Sequence, residues 1–247
     1  MSTTAAIHGP LTEQQTADFH RDGYVVVKSL YDDKTMLAWK AILTQTLEEQ
    51  KAYNSTGVVV WTPQHIHPVM LEAMRDPFVT PVLQQLIGPN VEFLSAKAVY
   101  KNAQTSFGSP FHQDWFYWEG SPKMSVWIAL DDATPANGCL ILIPGTHTRV
   151  FPKRVDDKSN FGFVNTIADE HLVGLPRVTV SVKRGDAVFF SDLAVHGSHE
   201  NTSKTDRWSM ISTYRDASVV DPTSLNGNLW MEPLLISGES VNGGKKK

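Results

Sequence analysis

Before Val91 the apolar positions of this chain recur at helical spacing; after it they alternate or run together as strands do. Thr12 and Gln15 form a Thr-x-x-Gln capping box, and Asp22-Gly23 supplies a left-handed cap, which predicts a helix between them. Tyr24-Val25-Val26-Val27 reads as a strand. Asp32 or Asp33 opens a second helix, on which Met36, Trp39, Leu43 and Leu47 form one apolar stripe. A third helix is predicted over 77–87, ending at Gly88-Pro89. Strands are predicted over 91–101, 124–131, 139–143, 177–182, 187–190 and 208–214, with Asn137-Gly138 as a tight-turn signal. Residues 150–176 are polar and irregular and read as a long excursion over the mouth of a site. Helices first and short strands afterwards predict a helical layer on a β-sandwich or barrel. No repeat or linker divides the chain, so one domain is expected over 11–236, with flexible tails at 1–10 and 237–247.

Composition narrows the function classes. With 41% hydrophobic and 19% charged residues in 247, the chain can bury a core. A formal net charge of −4 offers no basic field, so nucleic acid is not an expected partner. No apolar run reaches the roughly 18–20 residues that span a bilayer, and Met1–Pro10 has no secretion signal. Cys139 is the only cysteine, which excludes an intrachain disulfide and a multi-cysteine zinc site. A cytoplasmic protein without a membrane partner is expected. Nothing in the sequence encodes an oligomeric state.

The chemistry starts at His112-Gln113-Asp114. In extended chain, residues two apart share a face, so both side chains can reach one metal ion. His196 follows far along the chain, placed at the end of the apolar strand 187–190. Two imidazoles and a carboxylate on one face of a metal form the donor set of non-haem iron(II) oxygenases. Arg207 stands at the start of another strand, and its fork pairs bidentately with a carboxylate, which suits the remote end of 2-oxoglutarate. Ser198 can add a hydroxyl to the same carboxylate.

These motifs resemble the phytanoyl-CoA dioxygenase family of 2-oxoglutarate-dependent oxygenases, which includes ectoine hydroxylase. The resemblance runs in order through Phe19-His20-Arg21-Asp22-Gly23-Tyr24, Leu86-Ile87-Gly88-Pro89, His112-Gln113-Asp114 and Thr134-Pro135-Ala136-Asn137-Gly138, then through Pro144-Gly145-Thr146-His147, His196-Gly197-Ser198 and Arg207. It implies a mainly β fold with flanking helices, built on a double-stranded β-helix (jelly-roll, cupin-like) core. It implies iron(II) on His112, Asp114 and His196, and 2-oxoglutarate held by Arg207 and Ser198. Trp127 matches a position lining the cosubstrate pocket, and Lys97, ahead of Lys101, is the cosubstrate-binding candidate on the preceding strand, which in relatives supplies polar contacts to cosubstrate or substrate. Phe111, Trp115 and Tyr117 adjoin the ligands in sequence, and Trp61 and His65 lie on a predicted loop over 61–67; these are the candidates for substrate contact.

The implied reaction uses dioxygen and 2-oxoglutarate to oxidise an unactivated C–H bond of a small molecule, most simply by hydroxylation. Succinate and carbon dioxide are its coproducts, and desaturation or cyclisation are related outcomes. Two alternatives share the triad: a cupin-like isomerase or hydrolase that does not use 2-oxoglutarate, and a non-catalytic member of the fold. Arg207 and Ser198 argue against the first and the complete ligand set against the second. The aromatic run 111–118 suits an apolar natural product or a cation against ring faces. No basic cluster suggests an acyl-CoA.

Overall fold

The capping box at Thr12 forms as predicted: Thr12 Oγ1 accepts from Gln15 N, and the Gln15 side chain accepts from Thr12 N. This computed structural model describes residues 10–62, 65–155, 163–220, 232–236 and 238–240. Helix α1 (Glu13–Asp22) ends on Gly23 at φ 83°, a conformation that costs glycine nothing. Strand β1 (Tyr24–Val27) follows, then α2 (Asp33–Glu49), N-capped by Asp32, with Met36, Trp39, Leu43 and Leu47 all buried. Next come β2 (Val58–Trp61), α3 (Pro68–Met74) and α4 (Thr80–Ile87).

The helix predicted over 77–87 is α4, which starts later, at Thr80, and the separate helix α3 before it was not predicted. Pro77 has no N–H to continue α3, and the chain turns on Asp76, whose Oδ1 accepts from Phe78 N and whose carbonyl accepts from Val79 and Thr80. β2 replaces the start of the loop expected over 61–67; Pro63 and Gln64 lie outside the described residues.

The β half comprises β3 (Val91–Lys101), the one-turn helix α5 (Trp115–Trp118), β4 (Lys123–Ala129), β5 (Leu140–Leu142), β6 (Lys153–Val155) and β7 (Asn165–Ile167). It continues with β8 (Val178–Val180), β9 (Ala187–Ser191), β10 (His196–Ser198), β11 (Arg207–Asp216), β12 (Glu232–Ile236) and β13 (Glu239–Ser240). Among the described residues the larger sheet has eight strands, in the order β1-β9-β4-β11-β3-β12-β13, with β2 also paired to β3. A smaller sheet, β10-β5-β8, faces it, and β6 and β7 make a separate hairpin. This is the jelly-roll arrangement. The excursion over 150–176 therefore carries β6, β7 and a short 3-10 turn at Asp169–Leu172; residues 156–162 lie outside the described set. The tail expected from 237 onward contains β13, which pairs with β12; residues 1–9 and 241–247 lie outside the described set.

Strand alternation divides the core between the two faces of the larger sheet. Met124, Val126 and Ile128 of β4, Phe189 of β9, and Trp208, Met210 and Tyr214 of β11 pack on the helices with Met36, Leu47, Met70 and Leu83. Trp127, Ala129, Val188 and Phe190 face the smaller sheet, against Leu140, Leu142, Val180 and Val182.

One irregularity on β3 decides the chemistry of the inner face. Thr213 pairs with Ser95 and Tyr214 with Phe93, so Leu94 is an extra residue, a β-bulge. Val91 and Phe93 face the helices before it; Ala96, Ala98 and Tyr100 do so after it. The bulge exchanges the two faces, which turns Lys97, Val99 and Lys101 inward.

Candidate functional site

The inner faces of the two sheets enclose a cavity of about 410 Å3. His112 sits where the chain bridges onto β10: its N–H donates to His196 O and its carbonyl accepts from His196 N, both at 3.0 Å. Gln113 points the other way and is locked there. Its Nε2 donates to Arg149 O at 2.9 Å, and its Oε1 accepts from Phe151 N at 2.9 Å. Asp114 is not extended, as the same-face argument assumed, but helical (φ −64°, ψ −25°) at the start of α5. The corner after Gln113 still brings its carboxylate back beside His112.

His196 does not end β9. The chain turns after Ser191, and Val195 N is tied to Thr146 Oγ1 at 2.9 Å, while Ile143 N donates to Val195 O. His196 then opens β10 opposite Leu142. The Pro-Gly-Thr turn thus has a positional role, because Thr146 pins the approach to the second histidine.

His112 Nδ1 lies 2.8 Å from Pro110 O and His196 Nδ1 2.9 Å from Ala194 O. A carbonyl can only accept, so both rings carry a proton on Nδ1, and Nε2 is the atom each neutral ring would offer to a metal. Those atoms lie 3.5 and 4.0 Å from Asp114 Oδ1, and one ligand atom from each residue falls within 4.8 Å of the others. All three residues are buried. Burial, then the His112 charge, pushes the His196 pKa down to about 4, which keeps the ring neutral. Burial works against ionisation of Asp114, but Lys97 and the two histidines outweigh it and hold its pKa below the usual carboxylate range. A neutral His196 and an ionised Asp114 are in the protonation states that metal ligation requires.

Deeper in the cavity stands Arg207, 2% exposed. Trp208 faces the helices, stacked on Tyr100 at 5.0 Å, and its N–H donates to Asp131 Oδ2; alternation then sends Arg207 inward. Its Nη1 donates to Ser209 Oγ at 2.7 Å and its Nη2 to Gly138 O at 2.9 Å, while Nε is buried without a partner. Among the described residues no carboxylate pairs with this guanidinium. Burial lowers its pKa only to about 10, so it remains charged. Trp127 lies on the same face, with the guanidinium 5.6 Å from its ring centroid.

Lys101 is the residue that sequence reasoning undervalued. It pairs in register with Arg207, is 1% exposed, and donates from Nζ to Ser198 Oγ at 2.7 Å and to His199 O. Burial, reinforced by Arg207, pushes its pKa down to about 6. Ser198 already spends its one proton on Ser109 Oγ at 2.9 Å while accepting from Lys101. Its hydroxyl is therefore a relay between the lysine and Ser109.

Of the substrate-side candidates, Tyr117 lines the cavity, and burial with the Asp114 charge raises its pKa to about 12. Phe111, Trp115, Trp61 and His65 are not among the lining residues. Phe111 packs toward Ile143 and Phe151, under the Arg177 guanidinium. Trp115 pairs with Phe116. Trp61 is buried under the helices, its indole donating to Gln50 Oε1 at 3.1 Å, because alternation along β2 turns Val58 and Val60 to the cavity instead. His65 is exposed and bonded to Thr62 Oγ1 at 2.8 Å. Lys97, Val99, Phe107, Trp118, Phe163 and Ile211 complete much of the lining.

The model of the phytanoyl-CoA dioxygenase (PhyH) family matches residues 19–209. A probable phytanoyl-CoA dioxygenase of Caenorhabditis elegans is 30% identical over 148 residues, which are 56% of this chain and 47% of that protein. The chain thus spans about half the length of that relative. The ectoine dioxygenase of Bordetella parapertussis is 23% identical over 231 residues, 83% of this chain and 75% of that protein. Among solved structures, the epimerase SnoN in complex with Fe3+, alpha ketoglutarate and nogalamycin RO superposes with a TM-score of 0.73 at 23% identity, covering 94% of this chain and 96% of that one. Its likeness shows the shared fold. Among the described residues no helix is long and apolar enough to cross a membrane. The match over residues 19–209 makes this chain a member of the phytanoyl-CoA dioxygenase family of iron- and 2-oxoglutarate-dependent dioxygenases.

Proposed function

We propose that this chain oxidises an unactivated C–H bond of a small molecule, most simply by hydroxylation, with iron(II) on His112, Asp114 and His196 and 2-oxoglutarate anchored by Arg207. One observation carries the reading: three converging ligand atoms share a cavity with a buried guanidinium that has no carboxylate of its own. An isomerase or hydrolase has no use for that second feature. The donor set fits iron(II), with two imidazoles, one carboxylate and open positions. Arg207 Nε and the Lys101 ammonium offer donors to the distal carboxylate of a five-carbon diacid. Iron with 2-oxoglutarate supplies the oxidising power: one oxygen atom of O2 enters succinate as carbon dioxide leaves, and the other enters the product. The chain's own part is positioning. Pro110 O and Ala194 O hold the imidazole tautomers, Gly138 O and Ser209 Oγ aim Arg207, and the apolar lining excludes water.

The test is succinate formation by purified protein. Release should require iron(II), 2-oxoglutarate and oxygen together and rise when an accepted substrate is added. Turnover supported by zinc, or with no succinate formed, would sink the reading.

Lys101 gives a second expected result. Its pKa near 6 leaves most of the amine neutral at pH 7.5, whereas a bound dicarboxylate favours the ammonium. Binding should then take up a proton, and affinity should weaken as pH rises above about 6. Calorimetry in buffers of different ionisation enthalpy reads the uptake directly; Lys101→Met should abolish it. Uptake unchanged in that variant would assign the proton to another group.

A further inference from the structure

The cavity has two unlike ends. Lys101, Ser198 and Arg207 make one end polar. At the other, a cross-strand row runs Val60–Lys97–Ile211, with Trp118 beside Lys97 and Tyr117 also in the lining. Lys97 is the cation in this apolar end. Its side chain is 16% exposed and makes no hydrogen bond among the described residues. Its ion pair with Asp114 Oδ2 spans 3.9 Å, beyond hydrogen-bond reach. Nζ also lies 5.8 Å from the Trp118 ring centroid, and the Trp118 indole N–H is itself buried without a partner.

An ammonium brings three donors, and burying them without acceptors costs free energy that a ligand can recover. Asp114 does not meet the need once it ligates a metal, because the cation takes up its charge. Nor does the carboxylate gripped by Arg207. Lys97 is four residues from Lys101, roughly 13 Å along the strand, whereas a five-carbon diacid spans about 5–6 Å at about 1.5 Å per bond.

We infer that Lys97 recognises an acidic group on the substrate, with the Trp118 indole as a second donor, and that this chain accepts apolar organic acids. The hydrophobic body lies against Val58, Val60, Ile211 and Tyr117, and a carboxylate or similar oxyanion meets Lys97. Val60 and Tyr117 are 53% and 41% exposed, so the apolar wall continues out to the mouth, where a body larger than the cavity can extend. A cationic substrate, which the aromatic run alone would also suit, meets repulsion at Lys97. The inference rests on the proposed oxygenase reading for where metal and cosubstrate lie.

The probe pair is 2-naphthoate and 2-naphthamide, one skeleton with and without charge. Calorimetry would use protein loaded with iron(II) and 2-oxoglutarate under nitrogen. Wild type should bind the acid at least tenfold more tightly than the amide. Lys97→Gln should lose that preference, Lys97→Arg should keep most of it, and 2-oxoglutarate affinity should stay within twofold in both. Equal affinity of wild type for acid and amide, including none for either, overturns the inference. So does a Lys97→Gln variant that keeps the preference but loses 2-oxoglutarate, which would make Lys97 a cosubstrate residue and leave the oxygenase reading standing. Failure of that reading shows separately, as wild type that does not bind 2-oxoglutarate.

Discussion

Replacing His112 or His196 by alanine should abolish iron binding and succinate formation while leaving the fold in place. The bridge between the two residues is made by backbone groups, His112 N to His196 O and the reverse, and survives loss of either ring. What disappears is one of two imidazole donors, each aimed by its own backbone carbonyl, Pro110 O or Ala194 O. Removing outer partners of metal ligands typically costs 10–100-fold in affinity or activity, and a missing ligand should cost more. Anaerobic iron(II) with 2-oxoglutarate should give a weak visible charge-transfer band in wild type and none in either variant. Without metal, each variant should melt within about 2–4 °C of wild type, the shift that roughly 1 kcal/mol makes in a domain of this size. A full band and full turnover in His196→Ala would place the metal elsewhere.

Local chemistry was the legible part of this sequence. The capping box at Thr12, the glycine cap at Gly23 and the stripe Met36-Trp39-Leu43-Leu47 each act within one element, and each forms as read. The candidate metal-binding triad and the arginine were legible for a related reason. His-x-Asp, a distant histidine and a following arginine are few, polar and ordered, and the fold brings them to one cavity. Where side chains point was less legible, because direction is set by pairing. Trp61 looked like a loop residue beside a histidine. It is a strand residue, and the run Val58-Val59-Val60 after the Asn54–Gly57 turn was the signal for it.

Lys97 and Lys101 show the same limit more sharply. Their inward direction depends on the bulge at Leu94, a property of how β3 pairs with β11. The sequence does carry a trace of it: apolar residues fall on odd positions up to Phe93 and, Val99 apart, on even ones from Leu94 to Tyr100. A doubled apolar step inside a strand is the mark of a bulge, and reading it would have placed both lysines on the inner face. Phe111 and Trp115 failed as pocket residues for the converse reason. Nearness in sequence to His112 and Asp114 says nothing about face, and Gln113 shows how firmly a neighbour can point away.

Truncating Arg207 to alanine should cost 2-oxoglutarate binding roughly 2–5 kcal/mol, the range for losing one partner of a buried charge pair, or about 30-fold to several thousand-fold in affinity. The large end of that range is favoured by the surroundings. The guanidinium is 2% exposed, fixed by Gly138 O and Ser209 Oγ, and needs no reorganisation to meet a carboxylate. Lys101 stands beside it and should keep the loss from being total. Iron binding should change little, since no metal-ligand candidate contacts Arg207 through a hydrogen bond or ion pair among the described residues. Arg207→Lys should recover part of the affinity but not all, because a point charge cannot reproduce the planar fork. Folding should suffer less than in most buried truncations: the variant loses two hydrogen bonds but also a buried charge that has no counter-ion until 2-oxoglutarate arrives. Titrating iron(II)-loaded protein with 2-oxoglutarate under nitrogen, by the charge-transfer band and by calorimetry, separates these effects. Wild-type affinity in Arg207→Ala would remove the anchor from this residue and, with it, the distinction between this site and a metal site that has no need of a diacid.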